Sequence, residues 1–225
     1  MEKIKNSIHS DGWVYVIILA ILAIIFFPFF PFIGIFLTFL TLFVLNFFRD
    51  PKRIIPSQEF ILSPADGLVT FIGESFAPPE SKFKKKFIKI SIFLNIFDVH
   101  INRIPTNGMV KKIIYVPGKF INASLDKSSQ YNERNITIIE NNNSETFIVC
   151  QIAGLIARRI VCDIKKNQNL LQGDKLGIIK FGSRVDLYIP LKYKILIATG
   201  QRVIGGETII SNPNNISEIT QTKII

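Results

Sequence analysis

Three short segments of this 225-residue chain carry residue types that can do chemistry. The first is Phe181-Gly182-Ser183-Arg184, set between the apolar stretches 176–181 and 185–189. A Gly-Ser pair in that setting can be an ordinary hairpin turn. It also permits self-processing. A serine hydroxyl is a weak nucleophile that needs a base, but held against its own preceding carbonyl it converts the amide to an ester by an N-to-O acyl shift. Gly182, lacking a Cβ, tolerates the strain and close approach of that step. Eliminating the ester leaves dehydroalanine and then a pyruvoyl group at a new N-terminus, a ketone built from the protein itself.

The second segment is Phe97-Asp98-Val99-His100-Ile101-Asn102-Arg103. A lone histidine is commonly a structural residue. His100, however, is the single histidine of the folded domain, since His9 lies in the polar leader and is given no role. Its imidazole titrates near neutrality and can take a proton from serine and later return one. The third segment, Ser63-Pro64-Ala65-Asp66-Gly67, is on its face a turn. Its chemical reading is that Asp66 orients and charges the imidazole, as the acid of a Ser-His-Asp set does.

Other chemistries lack their residues. Two histidines cannot build a multi-histidine metal site, so no metal is expected. Phosphate-cradling and dinucleotide glycine motifs, HExxH and GxSxG are missing from the sequence. Cys150 and Cys162 stand in apolar runs without CxxC spacing and are read as buried free thiols.

The elements that must position these residues divide the chain in two. Residues 13–48 carry no charge, which marks a membrane-inserted run. Pro28 and Pro31 split it into helices 13–27 and 32–48, each short for a full crossing. Lys3 and Lys5 before the run, and Arg49, Lys52 and Arg53 after it, favour an anchor (1–50) built as a hairpin with both ends cytoplasmic. A shallow re-entrant pair and one long kinked helix are the alternatives. The charges of residues 1–50 sum to zero, so the net +10 belongs to residues 51–225. On a tethered domain that excess draws anionic lipid headgroups, and nucleic acid is the weaker reading.

Residues 51–225 read as a mainly β (α+β) domain. Strands are expected over 67–73, 87–94 (with Ile88, Ile90 and Ile92 on one face), 109–116, 135–139, 146–152, 176–181, 184–189 and 194–198. Short helices are expected over 125–135 and 155–159. The glycine turns 173–177 and 200–205 resemble hairpins of barrel-sandwich domains, or are two unrelated hairpins. The run 82–87, four Lys with two Phe, is a solvated turn or a headgroup contact with Phe dipping into lipid.

With SPADG, FDVHINR and FGSR in this order, joined by YVPGKF (115–120) and QIAGLIARRI (151–160), the chain resembles phosphatidylserine decarboxylase proenzymes of the short type with an FGSR cleavage site. The resemblance runs from about residue 45 to the C-terminus. It implies cleavage between Gly182 and Ser183 into a membrane-bound β chain (1–182) and an α chain (183–225), which associate as a heterodimer. Ser183 becomes the pyruvoyl group, and Asp66 and His100 are its partners in self-cleavage. The longer type of the family carries two histidines in this motif. Here Arg103 stands near the second position, so giving His100 both self-cleavage and decarboxylation is an inference.

The implied reaction joins the amine of phosphatidylserine to the pyruvoyl ketone as a Schiff base, releases carbon dioxide, and yields phosphatidylethanolamine. Arg103, Arg158, Arg159 and Arg184 are candidates for the lipid phosphate or serine carboxylate. Each can equally serve a surface ion pair. The implied location is the inner membrane, with the catalytic domain on its cytoplasmic side. Two rivals stand beside this reading. One is a non-catalytic barrel-sandwich adaptor on a membrane hairpin. The other is a pyruvoyl decarboxylase of a soluble amino acid.

Overall fold

The computed structural model describes residues 7–118, 131–154, 159–180, 183–214, 219 and 221–225. It divides into two compact units, Met1–Lys52 and Arg53–Ile225.

The first unit is a helical hairpin of α1 (Gly12–Phe26) and α2 (Pro31–Phe47). Pro31 opens α2 at its first turn, where a missing N–H costs nothing. The legs run antiparallel. His9 N–H donates to the Phe48 carbonyl at 2.8 Å, closing the open end of the hairpin. At the turn, a Cβ on Gly34 would lie 2.6 Å from the Phe27 Cα, so only glycine lets the legs meet there. The outward side chains are almost all apolar, with Phe32 88% and Phe29 75% exposed. Bare apolar surface of that extent marks an interaction site. No helix among the described residues is long and apolar enough to cross a membrane.

The second unit is mostly strands. They are β1 (Ile54–Pro56), β2 (Ile61–Leu62), β3 (Gly67–Phe76), β4 (Lys86–Leu94), β5 (Ile101–Arg103), β6 (Gly108–Val116), β7 (Arg134–Glu140) and β8 (Thr146–Ala153). The remainder are β9 (Arg159–Cys162), β10 (Asn169–Leu170), β11 (Lys175–Lys180), β12 (Ser183–Ile189), β13 (Arg202–Val203), β14 (Ile209–Ser211) and β15 (Thr222–Ile224). Eight of them form one curled sheet in the order β10-β6-β7-β8-β12-β4-β3-β13. A three-stranded sheet, β5-β11-β9, and the pairs β1-β15 and β14-β2 complete the unit.

Both faces of the large sheet are covered. Ile88, Ile90, Ile92 and Leu94 of β4 point with Val185, Leu187 and Ile189 of β12 into the main core, which Ile160, Leu176 and Ile179 of the small sheet close. The opposite face holds a second core of Phe87, Ile136, Ile138, Ile148, Cys150, Ile152 and Tyr188. Both cysteines are free thiols, and burial pushes the Cys150 thiol far above its ordinary range, so it stays protonated.

The anticipated strand 194–198 is not one. It runs beside β14, with Leu196 N–H on the Ile210 carbonyl and Ser211 Oγ on the Lys194 carbonyl, but forms no ladder. Of the anticipated helices, Arg134 and Asn135 belong to β7 and Arg159 to β9, and residues 125–130 and 155–158 lie outside the described residues. The described short helix is instead a 3-10 turn, Pro79–Ser81. The two glycine turns precede β11 and β13, which belong to different sheets. In the run 82–87, Phe87 is fully buried and Phe83 packs on the second core, so neither ring dips outward, and Lys84, Lys85 and Lys86 carry the exposed charge.

Gly67 starts β3 with φ +152°, and a Cβ there would stand 2.2 Å from the Phe93 carbonyl oxygen. A Gly67→Ala chain should therefore lose more than about 1 kcal/mol of unfolding free energy. Urea titration of the detergent-solubilised protein checks this, and an unchanged midpoint would show that β3 and β4 can part at no cost.

Candidate active site

Ser183 is the first residue of β12, a strand flanked on both sides by partners and buried along its whole length. It stands opposite Leu94 of β4 and Ala153 of β8. Strand alternation sends its side chain, with those of Val185 and Leu187, toward the main core. It is 0% exposed, and its Oγ has no hydrogen-bond partner among the described residues. A buried hydroxyl without a partner costs about 1–3 kcal/mol, and such a cost at one site suggests use rather than packing.

The other two segments reach the same end of the sheet. In β3, Leu68 faces Phe93, next to the Leu94 that faces Ser183, so the turn 63–67 leaves beside the start of β12. Ser63 Oγ donates to the Ala65 carbonyl at 2.7 Å and shapes that turn. The Arg103 N–H bonds the Pro64 carbonyl at 2.8 Å, tying segment 97–103 to it. His100 precedes β5, and its carbonyl accepts from Ile179 N–H at 3.3 Å, one residue before the end of β11. The chain from there to Ser183 passes through Phe181 and Gly182, which lie outside the described residues.

His100 is fully buried, with Nδ1 2.9 Å from the Asp98 carbonyl oxygen. A carbonyl only accepts, so Nδ1 carries the proton. In the neutral ring Nε2 then keeps its lone pair and is the basic atom. The Asp98 carboxylate holds the loop instead, accepting from Asn95 N–H at 2.9 Å and pairing with Arg202. Asp66 was expected to orient the imidazole. Among the described residues its carboxylate meets Arg53 Nη2, 2.9 Å from both oxygens, and Gly205 N–H at 2.8 Å. Burial raises the Asp66 pKa above its ordinary value, with Arg53 next in size pulling it down.

The arginines separate. Arg103 is buried and donates to the Gly173 carbonyl at 2.8 Å. Arg184 points to the face opposite Ser183, where its Nε lies 2.9 Å from Asp186 Oδ1 and Lys89 Nζ 3.3 Å from Asp186 Oδ2. A cavity of about 400 Å³ opens on that face, lined by Lys89, Arg134, Asp186 and Tyr188. Arg159 is exposed at the start of β9, and Arg158 lies outside the described residues.

Sequence reasoning missed Arg53 and a buried amide row. Asn135 Nδ2 donates to Gln151 Oε1, and Gln151 Nε2 donates to Asn102 Oδ1, both at 2.9 Å. Gln151 had a visible signal, as the polar member of the inward set Phe147, Val149, Gln151 and Ala153. Arg53 had none, because it reads as a flanking charge of the anchor.

Comparison with known proteins assigns this mainly β chain to the decarboxylases. The family model described as "Phosphatidylserine decarboxylase" matches residues 40–211. The chain is 45% identical over 207 residues to the phosphatidylserine decarboxylase proenzymes of Rickettsia typhi, Rickettsia prowazekii and Rickettsia felis, covering 91% of this chain and 90% of each relative. This chain belongs to the phosphatidylserine decarboxylase family, and is a lyase of the proenzyme kind.

The raised Asp66 pKa has a testable sign. In the window just above 3.8 the folded state holds a proton that the unfolded state has released, so Asp66 adds stability at low pH that fades as pH rises through its folded pKa. The stability of wild type minus that of Asp66→Asn should decline as pH rises through this window. Paired urea titrations measure it, and a difference that grows with pH would reverse the assignment.

Proposed function

We propose that the chain cleaves itself between Gly182 and Ser183 and then decarboxylates phosphatidylserine through the pyruvoyl group formed from Ser183. The observation that carries this reading is the Ser183 hydroxyl, wholly buried and without a partner among the described residues. The electrophile nearest in the chain to that hydroxyl is the carbonyl of its own preceding peptide bond. His100 Nε2 accepts the Oγ proton and returns one to the departing amide nitrogen. Asp66, with its charge anchored by Arg53, stabilises the imidazolium through space.

The fit of the cofactor rests on the same atoms, since a pyruvoyl group is built from Ser183: after the ester is eliminated, water would hydrolyse the resulting imine, supply the ketone oxygen and release ammonia. Once formed, it supplies the electron sink for loss of carbon dioxide. His100 then serves as proton donor to the product carbon, and Arg159, exposed at the domain surface, attracts the phosphate, with Arg158, its neighbour in the sequence, a second candidate. The exposed apolar side chains of α1 and α2 support a hairpin seated in the cytoplasmic leaflet of the inner membrane, which keeps the domain at the headgroup plane.

Cleavage need not separate the fragments. Strand β12 pairs with β4 over seven residues and with β8 over six, and β13, β14 and β15 pair with β3, β2 and β1. This lacing supports a heterodimer of the segments 1–182 and 183–225.

Intact-mass measurement under denaturing conditions should give two fragments, the smaller with a ketone trapped by borohydride in the presence of substrate. Both should co-elute until denaturant is added. Ser183→Ala should stay one chain, and His100→Gln should process at least about 100-fold more slowly. A Ser183→Ala chain that still splits at this bond would overturn the proposal.

A further inference from the structure

Beside Ser183 lies the row of three amides, on three different strands, that the mechanism above leaves unused. Asn135 is on β7, Gln151 on β8 and Asn102 on β5, and none is more than 2% exposed. Buried amides are costly unless hydrogen-bonded, and these three meet that cost by bonding one another, except at one end of the row. The row has a direction. Gln151 accepts through Oε1 from Asn135 and must therefore donate through Nε2, which makes Oδ1 the Asn102 atom that it meets. The row ends on Asn102 Nδ2, a buried donor with no hydrogen-bond partner among the described residues.

The sheet register sets where that donor sits. Gln151 stands opposite Val185 of β12, and Ser183 is the next residue of β12 on the same face. Diagonal neighbours on adjacent strands are about 7–8 Å apart, a gap that a long side chain spans. Across from Ser183 is Ala153, whose methyl leaves the space above the serine open. His100, two residues before Asn102 with the same parity, lies beside the end of β11 that leads to Ser183. A fully buried acceptor-free amide, a fully buried hydroxyl and the imidazole thus share one side of the sheet.

We infer that Asn102 Nδ2 is the oxyanion donor of self-cleavage, with Gln151 and Asn135 as residues that position it. This deepens, and rests on, the reading that the chain cuts itself before Ser183. In that step the Oγ–H proton passes to His100 Nε2 and Oγ bonds the Gly182 carbonyl carbon. The carbonyl π pair moves onto oxygen, and this new anion is the group that Asn102 Nδ2–H meets. Collapse then breaks the bond to the Ser183 nitrogen, which takes the proton back from His100, and an ester remains. A donor fixed before the charge appears costs no reorganisation when it does, and removing one such donor typically slows a reaction by about 100- to 1000-fold.

The test is Asn102→Asp, which keeps the oxygen that accepts from Gln151 and replaces the donating NH2. Cell-free synthesis with timed denaturing gels gives the rate of chain cleavage, with wild type and Ser183→Ala alongside. Cleavage should slow by roughly 100-fold at neutral pH. The ratio of variant to wild-type rate should recover as pH falls, because a protonated carboxyl donates again, which a merely structural role would not produce. If that variant does not fold, Asn102→Leu combined with Gln151→Met and Asn135→Leu replaces the whole row by apolar groups of similar shape, which leaves no buried amide of the row unpaired and is close to neutral for stability. It should fold and cleave equally slowly. A wild-type rate in either variant, or an Asn102→Asp deficit that is the same at every pH, overturns the role of Asn102. Wild type remaining one chain would instead overturn the self-cleavage reading beneath it.

Discussion

Strand β12 is hydrogen-bonded along both edges and buried from end to end, and the chemistry of the molecule depends on that confinement. A central strand between two cores would ordinarily be apolar throughout. This one carries Ser183, Arg184 and Asp186 in positions where polar groups are expensive. Arg184 and Asp186 offset the cost by pairing with each other and with Lys89. Ser183 does not, and its hydroxyl is held in a place that neither solvent nor a neighbour satisfies. If the chain is cut before Ser183 as proposed, the same confinement favours a ketone over a free amine at the new end. Simple hydrolysis would leave an ammonium at a wholly buried strand end, an outcome costing several kcal/mol, whereas a pyruvoyl end is uncharged.

Most strand positions were legible in the sequence, though not their order in the sheet, because period-two apolar patterns bounded by turns survive where a strand has one core face. Residues 87–94 are the clear case, with Ile88, Ile90 and Ile92 packed on the main core as the alternation implies. Residues 194–198 show the opposite. Their apolar character is real, but β2 takes the place beside β14, and 194–198 is left with isolated bonds. Periodicity reports burial and says nothing of which neighbour wins an edge. Ser183 and His100 stand out as candidates in the sequence because their types are chemically conspicuous. Asn102 and Arg53 do not, since their contacts reach residues 49 and 13 positions away, and Gln151 shows only as the polar member of an inward apolar set.

The hairpin follows a different constraint. Helices of 15 and 17 residues are about 22 and 26 Å long, against a hydrocarbon core of about 30 Å. Two such legs closed at their open end by the His9–Phe48 bond return the chain to the side it came from.

The geometry around His100 departs from a Ser-His-Asp relay in a way that suits a reaction performed once per molecule. The imidazole is oriented by a main-chain carbonyl, which sets the tautomer as firmly as a carboxylate would but brings no charge to the proton it holds. Asp66 keeps its charge beside Arg53, and burial raises its pKa rather than lowering it. In the proposed self-cleavage the nucleophile and electrophile are covalent neighbours, so the entropic part of the barrier is met by the fold before any proton moves. Fixing the ring through its own backbone also leaves the orientation of His100 independent of Ser183. In the proposed sequence of steps, His100 is therefore already aligned when processing ends.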